Sequence, residues 1–227
     1  MAITIDYLPL HPEIKVYQDD EMFRMNTDTA VLGEFIQVFR EEEVLDIGTN
    51  QGALLLYASF FYPKKMTGID VNEKALELAK MNCEAHVKTP YELICADAIT
   101  YTGTPVDVII CNPPYFQTKN NDKGKNPYLS LAKHEGALSL PLLANTIDRN
   151  LKANGKLFFL YQTSRLDEVM REFAKHHMHT KILKFVYDEQ KEYSNVVLMK
   201  IMKGVQSGLI VEKPIVIDRS RLKERQS

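Results

Sequence analysis

No stretch of about 18 apolar residues occurs anywhere in this 227-residue chain, so the sequence offers no membrane-spanning helix. Its first residues also lack the basic-then-apolar pattern of a secretory signal. Both absences lead us to expect a cytoplasmic protein with no membrane partner. Cysteine is scarce. Cys83, Cys95 and Cys111 are odd in number and form no CxxC pair, which argues against a disulfide framework and against a zinc site, leaving buried free thiols as the simpler reading. A surplus of either charge is missing too. With 28 Lys and Arg against 30 Asp and Glu, the formal net charge is −2, so any contact with nucleic acid must come from a local patch. There is no internal repeat or low-complexity segment. The length suits one domain with a sizeable core, which we divide into a leader (1–26), a core (27–202) and a tail (203–227).

What is present is organised around Val106 to Phe116. The β-branched run Val108, Ile109 and Ile110 reads as a strand buried on both faces, as in a parallel sheet. Pro113 and Pro114 end it, because neither can donate to a ladder and each holds its predecessor extended. Asn112 is thereby expected at the carboxyl edge of a central strand, where open α/β sheets bind ligands. Its side-chain oxygen and the Pro113 carbonyl are two acceptors on a stiff turn, with the flat face of Tyr115 beside them. That set fits a planar amine: two N–H bonds are accepted while the plane is stacked.

Upstream, short apolar pieces at Ile3–Leu8 and Ile14–Tyr17 suggest a strand or hairpin leader. Thr27 or Asp28 is expected to cap a helix with Val31, Leu32, Phe35, Ile36 and Phe39 on its stripe; the same pair is a candidate for cofactor binding. Glu43 to Ile47 is a strand running into Asp46-Ile47-Gly48-Thr49-Asn50-Gln51-Gly52 and a helix, the opening unit of a nucleotide-binding sheet. A dinucleotide fold shares that unit. Asp70 ends the next strand about 20 residues past the start of the glycine turn, the offset of a ribose ligand, although it could instead cap the following helix, for which Asn72 is the better candidate. Asp97 follows a third strand, Tyr91 to Cys95. Further strands are expected at Lys156–Tyr161, Ile182–Tyr187 and Val196–Met202. Helices are expected at a Leu143, Ile147, Leu151 stripe ended by Gly155, and at Leu166–Phe173. Lys119, Lys123 and Lys125 lie in a polar loop that could meet phosphates or simply be solvated. His176, His177 and His179 suit a helix-end cation better than a metal site. In the tail, Leu209–Val211 and Ile215–Ile217 could add an edge strand.

The tetrapeptide Asn112-Pro113-Pro114-Tyr115 resembles motif IV of the S-adenosylmethionine-dependent N-methyltransferases, which handle exocyclic amines of bases or glutamine amides. The Asp46 to Gly52 turn is similar to their motif I, with Asn50 where the middle glycine usually stands; Asn tolerates that left-handed backbone better than most residues. The resemblance implies a Rossmann-like class I methyltransferase fold: a mostly parallel seven-stranded sheet, antiparallel in its last strand, with helices on both faces. It implies S-adenosylmethionine as cofactor, held by Thr27, Asp28, Asp46, Gly48, Asn50, Gly52, Asp70, Val71, Asp97, Ala98 and Asn112, and no metal. It also implies that Asn112, Pro113, Pro114 and Tyr115 act on the substrate. The Phe23 to Leu32 segment, Asn-Pro-Pro-Tyr-Phe, the lysine loop and Ala132-Lys133-His134-Glu135 together resemble the bacterial enzymes that methylate adenine N6 beside the anticodon of a valine tRNA. From this a tRNA anticodon stem-loop is expected as partner, met by Lys119, Lys123, Lys125, Lys133 and His134. Lys133 stands where those relatives often carry Arg, which removes bidentate phosphate recognition. Glutamine N5-methyltransferases of release factors share the tetrapeptide but usually bring a helical leader domain, and DNA adenine methyltransferases carry a sizeable recognition insertion. A non-catalytic cofactor- or RNA-binding scaffold would leave motif IV unexplained.

Overall fold

The computed structural model describes residues 3–20, 22–113 and 139–217. Ile3–Leu8 (β1) and His11–Asp19 (β2) pair antiparallel as a separate two-stranded sheet, the hairpin expected of the leader. Thr27–Phe35 (α1), Glu43–Ile47 (β3), Ala53–Ser59 (α2), Lys65–Asp70 (β4), Glu73–His86 (α3) and Tyr91–Cys95 (β5) follow as alternating strands and helices. Val106–Cys111 (β6), Leu140–Asn150 (α4), Leu151–Gln162 (β7), Leu166–Ala174 (α5), Met178–Asp188 (β8) and Val196–Lys203 (β9) complete the frame.

The sheet runs β8-β9-β7-β6-β3-β4-β5, and β9 alone is antiparallel to its neighbours in that frame. Two tail strands, Ile210–Val211 (β10) and Ile215–Ile217 (β11), both add parallel to β8, so among the described residues the sheet has nine strands rather than seven. Alternation along the strands sends Val44, Val108, Ile110 and Phe158 toward α1 and α2, and Leu45, Ile47, Ile109 and Phe159 toward α4 and α5. Both faces are therefore covered by helices. Among the described residues no helix is long and apolar enough to cross a membrane.

Several boundaries differ from expectation for local reasons. Asn26, not Thr27 or Asp28, caps α1: it is extended and its side chain accepts the Thr29 N–H at 3.1 Å. That helix stops at Phe35, Ile36 turns extended, and Phe39 lies 70% exposed with Lys156 Nζ 4.5 Å from its ring centroid. Likewise α4 ends at Asn150 rather than near Gly155, because β7 begins at once with Leu151, and Asn154 supplies the positive φ of +62°. His179 sits inside β8, and His176 finds an acid, Asp148, at 3.3 Å.

Helix α1 contacts α2 through a glycine. A Cβ on Gly33 would fall 2.3 Å from Tyr57 Cδ2, and the Tyr57 ring is held at its far end by a 2.6 Å bond from its hydroxyl to the Pro9 carbonyl. The ring cannot swing away without releasing the hairpin. We predict that Gly33→Ala destabilises the protein by about 1–3 kcal/mol from overpacking, outweighing the roughly 1 kcal/mol that alanine gains over glycine in a helix. A urea midpoint equal to or above that of the wild type would contradict this packing account.

Candidate active site

Four strand ends meet at one edge of the sheet. Ile47 pairs in register with both Ile69 and Cys111, and Asp70 pairs with Cys95, so β3, β4, β5 and β6 finish at one level. The turn after β3 is fastened to β4: the Gly48 and Thr49 N–H groups both donate to the Ile69 carbonyl at 2.9 Å. Gly48, Asn50 and Gly52 have φ of +75°, +48° and +81°, the left-handed region that glycine and asparagine tolerate best. Gly52 is needed twice, since it precedes α2 and a Cβ there would stand 3.2 Å from Ala79 Cβ. At Gly48 the same construction meets nothing within 4 Å, leaving open space over exposed backbone.

Beneath the turn lies Asp46, fully buried on β3. Among the described residues neither of its carboxylate oxygens has a hydrogen-bond partner, nor has the adjoining Thr49 hydroxyl. Burial pushes its pKa up to about 7; the nearby Thr49 hydroxyl acts the other way, and the Asp70 charge adds to the rise. Gly68 of β4 is what lets Thr49 sit so close, because a Cβ there would meet the Thr49 side chain at 2.9 Å. Cys111, at the end of β6, is buried and its thiol is held neutral, its pKa pushed well up by burial and then by the Asp46 charge.

Asp70 is partly buried and faces the turn. Its two oxygens accept the Asn50 and Asn72 N–H groups, each at 2.9 Å. Burial raises its pKa and those backbone donors restrain the rise. Asn72, accepting from Lys74 and Ala75, is the actual helix cap, so Asp70 is left to serve the turn. Val71, next along, is 55% exposed. Asp97 is exposed and its Oδ1 accepts the Ile99 N–H at 2.8 Å, while Ala98 packs against the α4 side of the core. Asn112, partly buried, and Pro113, buried, leave β6 directly after Cys111. Thr27 and Asp28 open α1, and it is Phe23, earlier in the chain, that meets the turn, its carbonyl accepting Asn50 Nδ2 at 2.6 Å. Pro114, Tyr115, Lys119, Lys123, Lys125, Lys133 and His134 lie outside the described residues.

The structure also assigns positioning work to residues that the sequence left unremarked. Buried Asn82 of α3 binds the Tyr17 N–H and carbonyl and the Gln51 carbonyl, at 2.7, 3.0 and 2.9 Å, joining hairpin, helix and turn. Its place one turn after Leu78 and Ala79, on the apolar stripe, is a signal that was there to be read. Gln18 and Gln51 are buried beside it, their amides 3.1 Å apart. On the other face Arg149 of α4 donates to the Tyr101 and Ile99 carbonyls, and Asn150 accepts the Gly103 N–H, fixing the segment after β5 that carries Asp97.

The residues present fit a nucleotide-bearing cation such as S-adenosylmethionine. Open backbone at Gly48 admits close approach, and the orphaned Asp46 carboxyl lies under the same turn. Among the described residues there is no group of three or more potential metal ligands. A raised folded-state pKa means that Asp46 adds stability fully below its ordinary value of 3.8 and loses it as pH climbs through about 7. We predict that the stability of the wild type relative to Asp46→Asn falls by an amount on the order of 4 kcal/mol between pH 4 and pH 8. Urea unfolding at stepped pH tests this, and parallel stability curves for the two proteins would remove the buried neutral acid.

Comparison with known proteins agrees with this geometry. The methyltransferase small domain family matches residues 13–186. A tRNA1(Val) (adenine(37)-N6)-methyltransferase of Aeromonas hydrophila subsp. hydrophila is 31% identical over 106 residues, which cover 47% of this chain and 44% of that protein. One of the same name from Aliivibrio salmonicida is 28% identical over 127 residues, covering 55% and 53%. The chain thus spans about half the length of the curated relatives it matches. Among solved structures, ribosomal protein L11 methylase from Lactobacillus delbrueckii subsp. bulgaricus superposes with a TM-score of 0.59 at 16% identity, covering 82% of this chain and 83% of its own. TrmN from Thermus thermophilus gives 0.55 at 18% identity, covering 77% and 48%. Strand order, glycine turn and family match converge: the chain belongs to the methyltransferase small domain family and has the class I S-adenosylmethionine-dependent methyltransferase fold.

Proposed function

We propose that this protein transfers a methyl group from S-adenosylmethionine to the exocyclic N6 of adenine in tRNA, at adenine 37 in the anticodon loop of a valine tRNA. The observation that carries the reading is Asn112 at the carboxyl end of β6, level with the glycine turn of β3. The partial likeness to tRNA1(Val) adenine-37 N6-methyltransferases supports the substrate. The same proposal treats residues 1–227 as one methyltransferase unit and sets the reaction in the cytoplasm, where tRNA is modified.

Bound S-adenosylmethionine supplies a methyl group already activated on a sulfonium. Acid or base catalysis is therefore secondary, and the task left to the chain is to present the nitrogen. An exocyclic amine has its lone pair delocalised into the ring. The Asn112 side-chain oxygen and the Pro113 carbonyl accept its two hydrogens and draw the nitrogen toward tetrahedral geometry, freeing the lone pair to point at the methyl. Transfer would form the nitrogen–methyl bond as the sulfur–methyl bond breaks, leaving S-adenosylhomocysteine, and the proton shed by the nitrogen would pass to solvent. Tyr115 is proposed to stack on the base, and a loop adenine costs least to present because it is already unpaired. The side chains of Lys119, Lys123, Lys125, Lys133 and His134 are proposed to meet the tRNA backbone. Asp70 anchors the ribose hydroxyls, with Gly48 and Gly52 admitting the cofactor and Asp97 and Ala98 closing its adenine end.

Mass spectrometry of nucleosides from unmodified tRNA, incubated with the protein and labelled cofactor, is the direct test. N6-methyladenosine at position 37 of valine tRNA is expected; label in a glutamine side chain, or in no nucleoside, overturns the proposal. Asn112→Ala should lower the single-turnover rate by about a hundredfold or more while leaving tRNA and cofactor affinity within a few-fold, the scale for one preorganised polar group. Near-original rates in a folded Asn112→Ala protein would end the mechanism. For the cofactor, Asp70→Ala should weaken binding by roughly 1–3 kcal/mol, as expected for lost charged hydrogen bonds. Unchanged calorimetric affinity would take Asp70 out of the site.

A further inference from the structure

Asn50 occupies the turn position where glycine is usual in the motif it resembles, and the substitution has a structural correlate. Its φ of +48° is one that glycine would adopt with less strain, so the backbone alone does not call for asparagine. The side chain does something glycine cannot. Its Nδ2 donates to the Phe23 carbonyl at 2.6 Å, while its own N–H donates to Asp70 Oδ2 at 2.9 Å. One residue thus connects the acid at the end of β4 with the segment leading into α1.

That segment is tied at successive points. The Met25 N–H donates to buried Gln18 at 2.8 Å, and Asn26 caps α1. Of these ties, the one at Phe23 lands on the turn itself. Phe23 remains 54% exposed, an apolar residue held next to the turn with much of its surface uncovered. A loosely held chain would tend to fold such a side chain away or leave the segment free to move.

Resting on the cofactor reading above, we propose that Asn50 is a positioning residue: it latches the Phe23–Met25 strap against the glycine turn, making that strap a wall of the cofactor cleft and slowing cofactor release. The chain has exchanged the easier backbone of glycine for this tie.

Asn50→Gly isolates the latch, because it keeps the left-handed backbone and removes only the side-chain donor. Asn50→Asp is the second variant; asparagine and aspartate share tolerance of that backbone, but the carboxylate cannot donate to the Phe23 carbonyl. Both should bind S-adenosylmethionine about two- to tenfold more weakly by calorimetry, the loss expected for one hydrogen bond. In the cofactor-free protein, backbone amides of residues 22–26 should exchange faster while the Tm of Asn50→Gly stays within a degree or two of the wild type. Unchanged affinity in either folded variant overturns the latch. Weaker binding that merely follows a lowered Tm, with no faster exchange at 22–26, overturns it as well. A wild-type protein that binds no cofactor overturns the reading beneath it, and the inference falls with it.

Discussion

The site depends on one shared acceptor. The Ile69 carbonyl, at the last turn-facing position of β4, receives two N–H groups from consecutive residues of the glycine turn. Two donors converging on one oxygen require the backbone between β3 and α2 to reverse within a few residues, which in turn demands the left-handed conformations at Gly48, Asn50 and Gly52. Placement of Asp70 beside that turn follows, since its carboxylate closes the next N–H. The absence of side chains at Gly68 and Gly52 clears the space in which Thr49 and Ala79 approach. Sheet register then brings Asn112, directly after Cys111, to the same level.

Electrostatics at this edge have a consistent sign. Asp46 and Asp70 both have raised pKa values, burial being the leading cause in each, and the pKa of the Cys83 thiol is likewise pushed up to about 12 by burial and then by the Asp46 charge. Of the two acids, Asp70 is met by backbone donors while buried Asp46 is not, and a cationic ligand near the turn would favour the charged form of both.

How much of this was legible in the sequence depended on range. Strand ends carrying Asp46, Asp70, Asp97 and Asn112 could be placed because each follows a short apolar run, a local pattern. Helix caps were less legible: Asn26, Thr27 and Asp28 are all good cap residues, and only the folded backbone shows Asn26 as the extended one whose side chain accepts the Thr29 N–H. Phe39 looked like helix stripe because the spacing continues, yet the chain breaks at Ile36. The hairpin clamp was illegible as a contact, since Asn82 meets Tyr17 from 65 residues away and nothing local marks the pairing. The short strands of the tail were anticipated as a possible edge addition, but their shared partner was not.

That partner gives the tail a role of its own. β8 is the outer strand of the frame, and without β10 and β11 it would present a row of unsatisfied amide and carbonyl groups along a sheet containing strongly apolar strands. Such an edge invites strands from other molecules to dock, the first step of fibril-like association. The two tail strands occupy Ile182, Leu183 and Val186 to Asp188, and the chain between them carries Glu212 to within 3.1 Å of Lys184. What resembles a dispensable extension is, in these terms, a built-in stopper on the outer strand of the frame.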